Sequence, residues 1–271
     1  HCPLCQAAFR EWLKKKYGTL EALNHAYWNS FWSHSYSDWE QISSPMEGIG
    51  EHSHHTLVLD WKRFVTDQTV DFMRAEAAAL RQYSPDVPIT TNMMGFYDGL
   101  NYGKFRDVCD VISWDNYPHW HNGEEGEAAS VAMAHDLMRS LKPDRPFLMM
   151  ESSPSATNWE PVAKLRRPGM HMLSSLQAVA HGSDSVQYFQ WRKCRGGFEK
   201  FHGAVVGHDG TGSTRVFRDV QQVGERLGRL SQLCGARFPA RAALFCDMEN
   251  RWILDQIKGL INSQPEKGFL G

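Results

Sequence analysis

Apolar positions recur at helical spacing from the start of the chain. Phe9, Trp12, Leu13 and Tyr17 share one face of a stretch from Gln6 to Tyr17, which Gly18 stops. A second short helix is predicted from Thr19 to about Trp28, and a longer one from Leu59 to about Gln82, ended by Ser84-Pro85. Between them, Ser30 to His55 is rich in aromatic, Ser and Gly residues without a period, and reads as an irregular loop of the kind that often carries function.

Beyond Pro85 the pattern changes to short apolar runs alternating with helical ones. Val87 to Met94, Val108 to Trp114, Pro146 to Met150 and Ser185 to Trp191 read as strands buried on both sides. Helical patterns at about Glu127 to Leu141 and Arg167 to His181 lie between them, and another follows at about Arg215 to Cys234. A βαβα order with crossovers implies a parallel sheet. Polar and aromatic residues crowd just after the strand ends: Asn92, Asp115-Asn116-Tyr117, Glu151-Ser152-Ser153 and Gln190-Trp191-Arg192. A (β/α)8 TIM barrel places its catalytic loops there, so the expected fold is α/β, with half of such a barrel visible. From Ala236 the texture shifts again, with a strand predicted over Arg241 to Phe245 and a helix over Asn250 to Ile261. The expected division is residues 1–233 for the barrel portion and 234–271 for the start of a second α/β domain.

Composition narrows the partners. The 271 residues carry 29 Lys+Arg against 31 Asp+Glu with no long run of one sign, which speaks against nucleic acid or an anionic membrane as partner. No apolar run approaches the roughly 20 residues that span a bilayer. The opening His1-Cys2-Pro3-Leu4-Cys5 is neither a signal peptide nor an initiator start, and reads as a chain cut at its N-terminus. Six cysteines are too sparse for a disulfide scaffold, which favours a reducing compartment. Aromatic content of 12% with ten Trp exceeds what a core usually takes, and indole faces are platforms for flat surfaces such as sugar rings.

The sharpest candidate for chemistry is Glu151, a lone carboxylate closing the run Phe147-Leu148-Met149-Met150. Two readings stand at this point: a glycosidase nucleophile facing a second carboxyl, or a buried Glu paired with an Arg. Arg166-Arg167 reads as an ordinary charged surface pair.

Several ordered motifs carry a resemblance. Phe147-Leu148-Met149-Met150-Glu151-Ser152-Ser153-Pro154-Ser155 with Asn158-Trp159, Gln190-Trp191-Arg192, and Gly197 through Ala204 are similar to the β-galactosidases of glycoside hydrolase family 42. So are Cys2 through Arg10, Lys15 through Leu20, Ala26 through Ser33, Leu59 through Phe64, Ser113 through Pro118 and Asp247 through Trp252. The resemblance implies a retaining β-galactosidase with Glu151 as nucleophile, and Trp32, Tyr117, Trp159, Phe189, Glu199 and His202 lining the galactose subsite. It further implies that the visible half of the barrel is the second half, and it implies an acid/base Glu upstream of residue 1, a galactoside or galacto-oligosaccharide substrate, a homotrimer and a cytoplasmic location. Cys2 and Cys5 resemble two ligands of the family's structural zinc, while catalysis needs no cofactor. An α-L-arabinopyranosidase of the same fold and a non-catalytic carbohydrate-binding protein remain as alternatives.

Overall fold

The computed structural model describes residues 1–45, 54–120, 123–237 and 240–257. The chain forms two compact units: His1–Ala75 with Asp98–Lys104 and Leu244–Gly271, and Glu76–Tyr97 with Phe105–Ala243.

The first unit opens with α1 (Pro3–Tyr17) and α2 (Leu20–Tyr27) and includes most of α3 (His55–Arg81). Pro3 sits where a missing N–H costs nothing, and Gly18 ends α1 at φ 75°, its N–H on the Lys14 carbonyl. Thr19 caps α2 by accepting from Ala22 N at 3.1 Å. Phe9, Leu13, Leu23, Tyr27, Ile42 and Phe64 pack into one buried cluster. At its edge the buried Asp60 accepts from Tyr17 Oη at 2.7 Å, Tyr27 Oη at 2.9 Å, Arg63 Nη1 at 3.1 Å and the Lys16 ammonium. Burial, followed by the Asp60 carboxylate, pushes both tyrosine hydroxyls up. The described residues of the predicted loop include two 3-10 turns, Phe31–Ser33 and Trp39–Gln41. The helix α7 (Met248–Ile257) ends this unit's described part; the predicted extension to Ile261 lies outside the described residues.

The second unit is α/β. Its strands β1 (Asn92–Met93), β2 (Ser113–Asp115), β3 (Phe147–Glu151) and β4 (Ser183–Val186) form one parallel sheet in sequential order. The helices α4 (Glu124–Leu141) and α5 (Met170–Ala180) join β2 to β3 and β3 to β4, and α6 (Arg215–Gly228) follows. Trp114, Phe147 and Met149 from the strands are buried, as are Val131, Ala134 and Met138 from α4. His135 of α4 is used as an apolar ring: it stacks on Phe147 at 5.5 Å and meets Trp114 edge-on at 5.0 Å, and burial pushes its pKa down to about 3.

Four sequence expectations need correction. The ladder of β2 is limited to Ser113–Asp115, so residues 108–112 of the predicted run lie outside it. The ladder of β1 is only two residues, because Pro88 lacks an N–H and Ile89 pairs instead with Asp110, accepting Asp110 N at 2.7 Å and donating to Asp110 Oδ2 at 2.6 Å. The ladder of β4 lies nearer the N-terminus than the predicted Ser185 to Trp191, and the chain then continues beside β3 through Gln187 N to Met149 O at 3.1 Å and Phe189 N to Ser152 O at 3.1 Å. Residues 241–245 are irregular rather than a strand, with no partner strand among the described residues and Leu244 and Phe245 exposed.

Candidate active site

The parallel register brings carboxylates together at the C-terminal ends of two neighbouring strands. β2 and β3 pair Trp114 with Met149, and a register shift then sets Asp115 against Glu151. A backbone bond from Asn116 N to Glu151 O, 2.9 Å, fixes the two strand ends to each other. The Glu151 carboxylate is half-buried and gripped at both oxygens: Tyr117 Oη donates to Oε2 at 2.6 Å, and Asn92 Nδ2 donates to Oε1 at 3.4 Å. No arginine pairs with it among the described residues, so the structural reading that needed one has no partner here.

Asn92 Nδ2 also donates to Asp115 Oδ2 at 2.7 Å. One amide therefore bridges two acids. Asp115 is half-buried, and burial pushes its carboxyl up to about 6, with the Glu151 charge adding to the shift and the Asn92 bond opposing it. The phenol of Tyr117 is pushed up as well, by burial first, then by its bond to Glu151 and the charges of Glu151, Asp115 and Glu199.

An aromatic wall stands beside these acids. The Tyr117 ring meets Trp159 at 5.0 Å and His202 at 5.6 Å, both edge-on; Trp159 lies 5.3 Å from His202, and Phe189 meets His202 at 5.1 Å. His202 is fully buried, and its Nδ1 lies 3.0 Å from the Gly203 carbonyl. A carbonyl can only accept, so Nδ1 carries the proton and Nε2 presents a lone pair. That Nε2 has no partner among the described residues, and neither do Glu199 Oε2, Asp115 Oδ1 and Gln190 Nε2. Buried polar atoms are rarely left unpaired, and of these Asp115 faces Glu151 across the ladder while His202 and Glu199 act on Tyr117, the residue that holds Glu151.

Glycine holds the loops in place. A Cβ on Gly203 would lie 2.6 Å from Ala156 O and 2.4 Å from Ser155 Oγ, and Gly203 N donates to that same Ala156 O at 2.7 Å. Only glycine permits this approach, which pins the loop bearing Glu199 and His202 to the one that follows Glu151. Asn158 Nδ2 adds a second clip, to Phe198 O at 2.8 Å.

Glu151, Tyr117, Trp159, Phe189, Glu199 and His202, each expected from the sequence, thus come together in the second unit. Trp32 lies in the first unit, its indole exposed and stacked on Phe31 at 4.9 Å, with a left-handed backbone at φ 53°. Asn92 and Asp115 were not among the expected site residues; Asn92 opens the short β1 and Asp115 closes β2, and the available signal was the crowding of polar residues near the predicted strand ends. Cys2 and Cys5 also belong to the first unit, with Sγ atoms 3.5 Å from each other and the Cys2 thiol pushed down, chiefly by a backbone hydrogen bond from Cys5. Two sulfurs on one tetrahedral zinc lie about 3.8 Å from each other, so the pair fits half of such a donor set. His1 does not extend it through Nδ1, which lies 2.7 Å from Ser44 Oγ, and no group of three metal-binding side chains occurs among the described residues.

The comparisons with known proteins agree along the chain. Beta-galactosidase BglY of Alicyclobacillus acidocaldarius is 65% identical over 261 residues, covering 96% of this chain and 38% of its own length. Beta-galactosidase GanA of Bacillus subtilis is 54% identical, covering 96% of this chain and 40% of its own length. Among solved structures, a catalytic mutant of a beta-galactosidase from G. stearothermophilus superposes with TM-score 0.91 at 55% identity, over 96% of this chain and 39% of that one. The cold-adapted beta-galactosidase from Rahnella sp. R3 gives 0.92 at 53% identity, over 96% and 38%. The chain thus spans about two fifths of the length of these relatives. The sequence pattern of glycoside hydrolase family 42, described as beta-galactosidase, matches residues 1–230, and the chain belongs to that family.

Proposed function

We propose that the whole protein is a retaining β-galactosidase in which Glu151 is the nucleophile. The observation that carries this is the carboxylate at the end of β3, held at both oxygens by Tyr117 and Asn92, with an aromatic wall and unpartnered polar atoms of His202 and Glu199 gathered on Tyr117. A sugar ring answers both features: its C–H face suits the wall, and its hydroxyls supply donors and acceptors to the unpaired atoms.

In this reading a Glu151 oxygen attacks the anomeric carbon of a terminal β-galactoside as the bond to the aglycone oxygen breaks. That oxygen takes a proton from a second carboxyl, which the resemblance implies lies upstream of residue 1. Water, deprotonated by the same carboxyl, then attacks the anomeric carbon and releases galactose with retained configuration, returning Glu151 to a carboxylate. Tyr117 orients Glu151. Glu199 Oε2 and His202 Nε2 accept hydroxyl protons and so select the epimer, while Trp159 and Phe189 supply apolar surface. Trp32 is assigned a sugar-facing role on the resemblance alone.

The four strands would be the second half of a (β/α)8 barrel within residues 1–233, supported by their parallel sequential order and by a site at their C-terminal ends. Residues 234–271 would open a second α/β domain of a homotrimer. Cys2 and Cys5 would supply two ligands of a structural zinc, which metal analysis of the doubly substituted C2S/C5S protein against the parent checks; equal zinc content in both would remove the assignment. The compartment proposed is the cytoplasm, where the six cysteines stay thiols.

The test compares hydrolysis of an aryl β-galactoside by the whole protein and by its Glu151→Gly variant, with azide added. Loss of hydrolysis with formation of α-galactosyl azide supports the assignment. Undiminished activity in the variant removes Glu151 from the mechanism.

A further inference from the structure

Arg166 is not the surface residue its sequence suggests. Its neighbour Arg167 is exposed and forms a two-point pair with Glu124, through Nε at 2.6 Å and Nη2 at 2.5 Å. Arg166 itself is 6% exposed. Its Nη1 lies 3.3 Å from His171 Nδ1 and 3.3 Å from Ser174 Oγ. A guanidinium can only donate, so His171 Nδ1 is an acceptor and the imidazole proton sits on Nε2. Burial, reinforced by the Arg166 charge, pushes the His171 pKa down to about 3, so the wall behind the guanidinium is neutral. Its other two nitrogens make no hydrogen bond, and no carboxylate comes within ion-pair distance, among the described residues.

In front of Arg166 is a cavity of about 100 Å³, whose lining includes Arg166, Lys164, Arg167, Trp120, Ser155 and Thr157. Three of these are cations, and Glu124, the acid that also lines it, is spent on Arg167. The Lys164 ammonium donates to Trp120 O at 3.1 Å and has further protons to offer. Glu127 acts on the Arg166 charge from a distance, while its Oε1 accepts from His119 N at 3.0 Å. A buried charge without a paired counter-charge is costly, and this one faces space with room for several waters.

We propose that this cavity is an anion site that takes a small oxyanion, a carboxylate, sulfate or phosphate group, on the Arg166 guanidinium with Lys164 as second donor. The chemistry matches: a planar guanidinium with two free edge nitrogens binds two oxygens at once, and the neighbouring hydroxyls of Ser155 and Thr157 can bond the remainder. A bound anion would brace the run 153–157 that follows Glu151. The assignment uses none of the proposed sugar-binding atoms and stands or falls separately from the proposed activity.

The test is thermal unfolding and titration calorimetry of the whole protein with inorganic phosphate, sulfate and acetate, against chloride at matched ionic strength. Parent, Arg166→Gln and Lys164→Ala proteins are compared. A saturable rise in Tm in the parent, weakened several-fold by Lys164→Ala and lost in Arg166→Gln, is expected. Phosphate or sulfate binding more tightly would identify a free inorganic oxyanion, and acetate equalling them would identify the carboxylate of an organic ligand. A rise of equal size with chloride, or one kept in Arg166→Gln, overturns the proposal. Should Arg166→Gln not fold, crystals of the parent in selenate decide: an anomalous peak on Arg166 supports the site, and its absence at saturating selenate overturns it.

Discussion

Asp115 should weaken the fold at neutral pH, and replacing it by Asn should show this. Its carboxyl is pushed from an ordinary 3.8 to about 6, first by burial and then by Glu151. Below pH 4 the group is protonated both folded and unfolded, so it exacts no penalty. Between about pH 4 and 6 the unfolded chain has lost a proton that the folded one keeps, and stability falls as pH rises. Above about pH 6 both states are ionised and the penalty is complete. Two units correspond to about 3 kcal/mol; because the group is only half-buried, solvent screening brings the expected figure to about 1 kcal/mol. Asn in its place retains an oxygen for the Asn92 bond but carries no charge. Asp115→Asn should therefore raise Tm at pH 8 by about 2–4 °C, with the gain shrinking toward pH 5. Differential scanning calorimetry of parent and variant across that range measures it. A variant destabilised equally at pH 5 and pH 8 would refute the electrostatic account and make the carboxylate an ordinary hydrogen-bond acceptor.

Tyr117→Phe removes the bond to Glu151 Oε2 and leaves the Asn92 bond; a hydrogen bond to a charged group is worth about 1.5–3 kcal/mol, so kcat/KM on an aryl galactoside should fall about 10- to 150-fold. An unchanged value would show that the phenol does not act through the carboxylate. Gly203→Ala drives a methyl against Ala156 O and should cost about 1–3 kcal/mol, seen as a lowered Tm with weakened galactose binding by calorimetry; a neutral result would mean the two loops are not held as described. Asp60→Ala leaves Lys16 and Arg63 without their shared buried acceptor and should lose about 3–5 kcal/mol in urea unfolding, whereas a loss below about 1 kcal/mol would make the cluster a surface network.

How far the sequence revealed this arrangement depends on whether a signal was local. Helix α1 was legible because the spacing of Phe9, Leu13 and Tyr17 and the stop at Gly18 are all nearest-neighbour effects. Strand β3 was legible for the same reason, and so was the C-terminal end of β2, though not its start. The limits of β1 and β4 were not, because a ladder ends where its partner ends, and the pairing of Ile89 with Asp110 spans 21 positions. Glu151 was visible as a lone acid closing an apolar run. Asp115 and Asn92 were equally well placed at strand ends, but only the register that sets Asp115 against Glu151 joins them to it. Arg166 misled because adjacent arginines look alike in sequence, and burial separates them only once α5 packs behind one of them.

The charges around Glu151 bear on which reaction the site suits. Glu151, Asp115 and Glu199 all act on the Tyr117 phenol, and each raises it. A site for phosphoryl or acyl transfer must hold developing negative charge, for which preorganised cations or amide donors are the usual device. Glycoside hydrolysis instead develops positive charge on the sugar ring as the aglycone departs. Acids gathered around one phenol disfavour an oxyanion beside them and would suit the oxocarbenium-like ring of the proposed glycoside hydrolysis. The raised carboxyl of Asp115 fits this balance. Near its own pKa it holds a proton part of the time, which limits the negative charge on the free site; a cationic transition state beside it would draw that carboxyl toward ionisation when the charge is most useful.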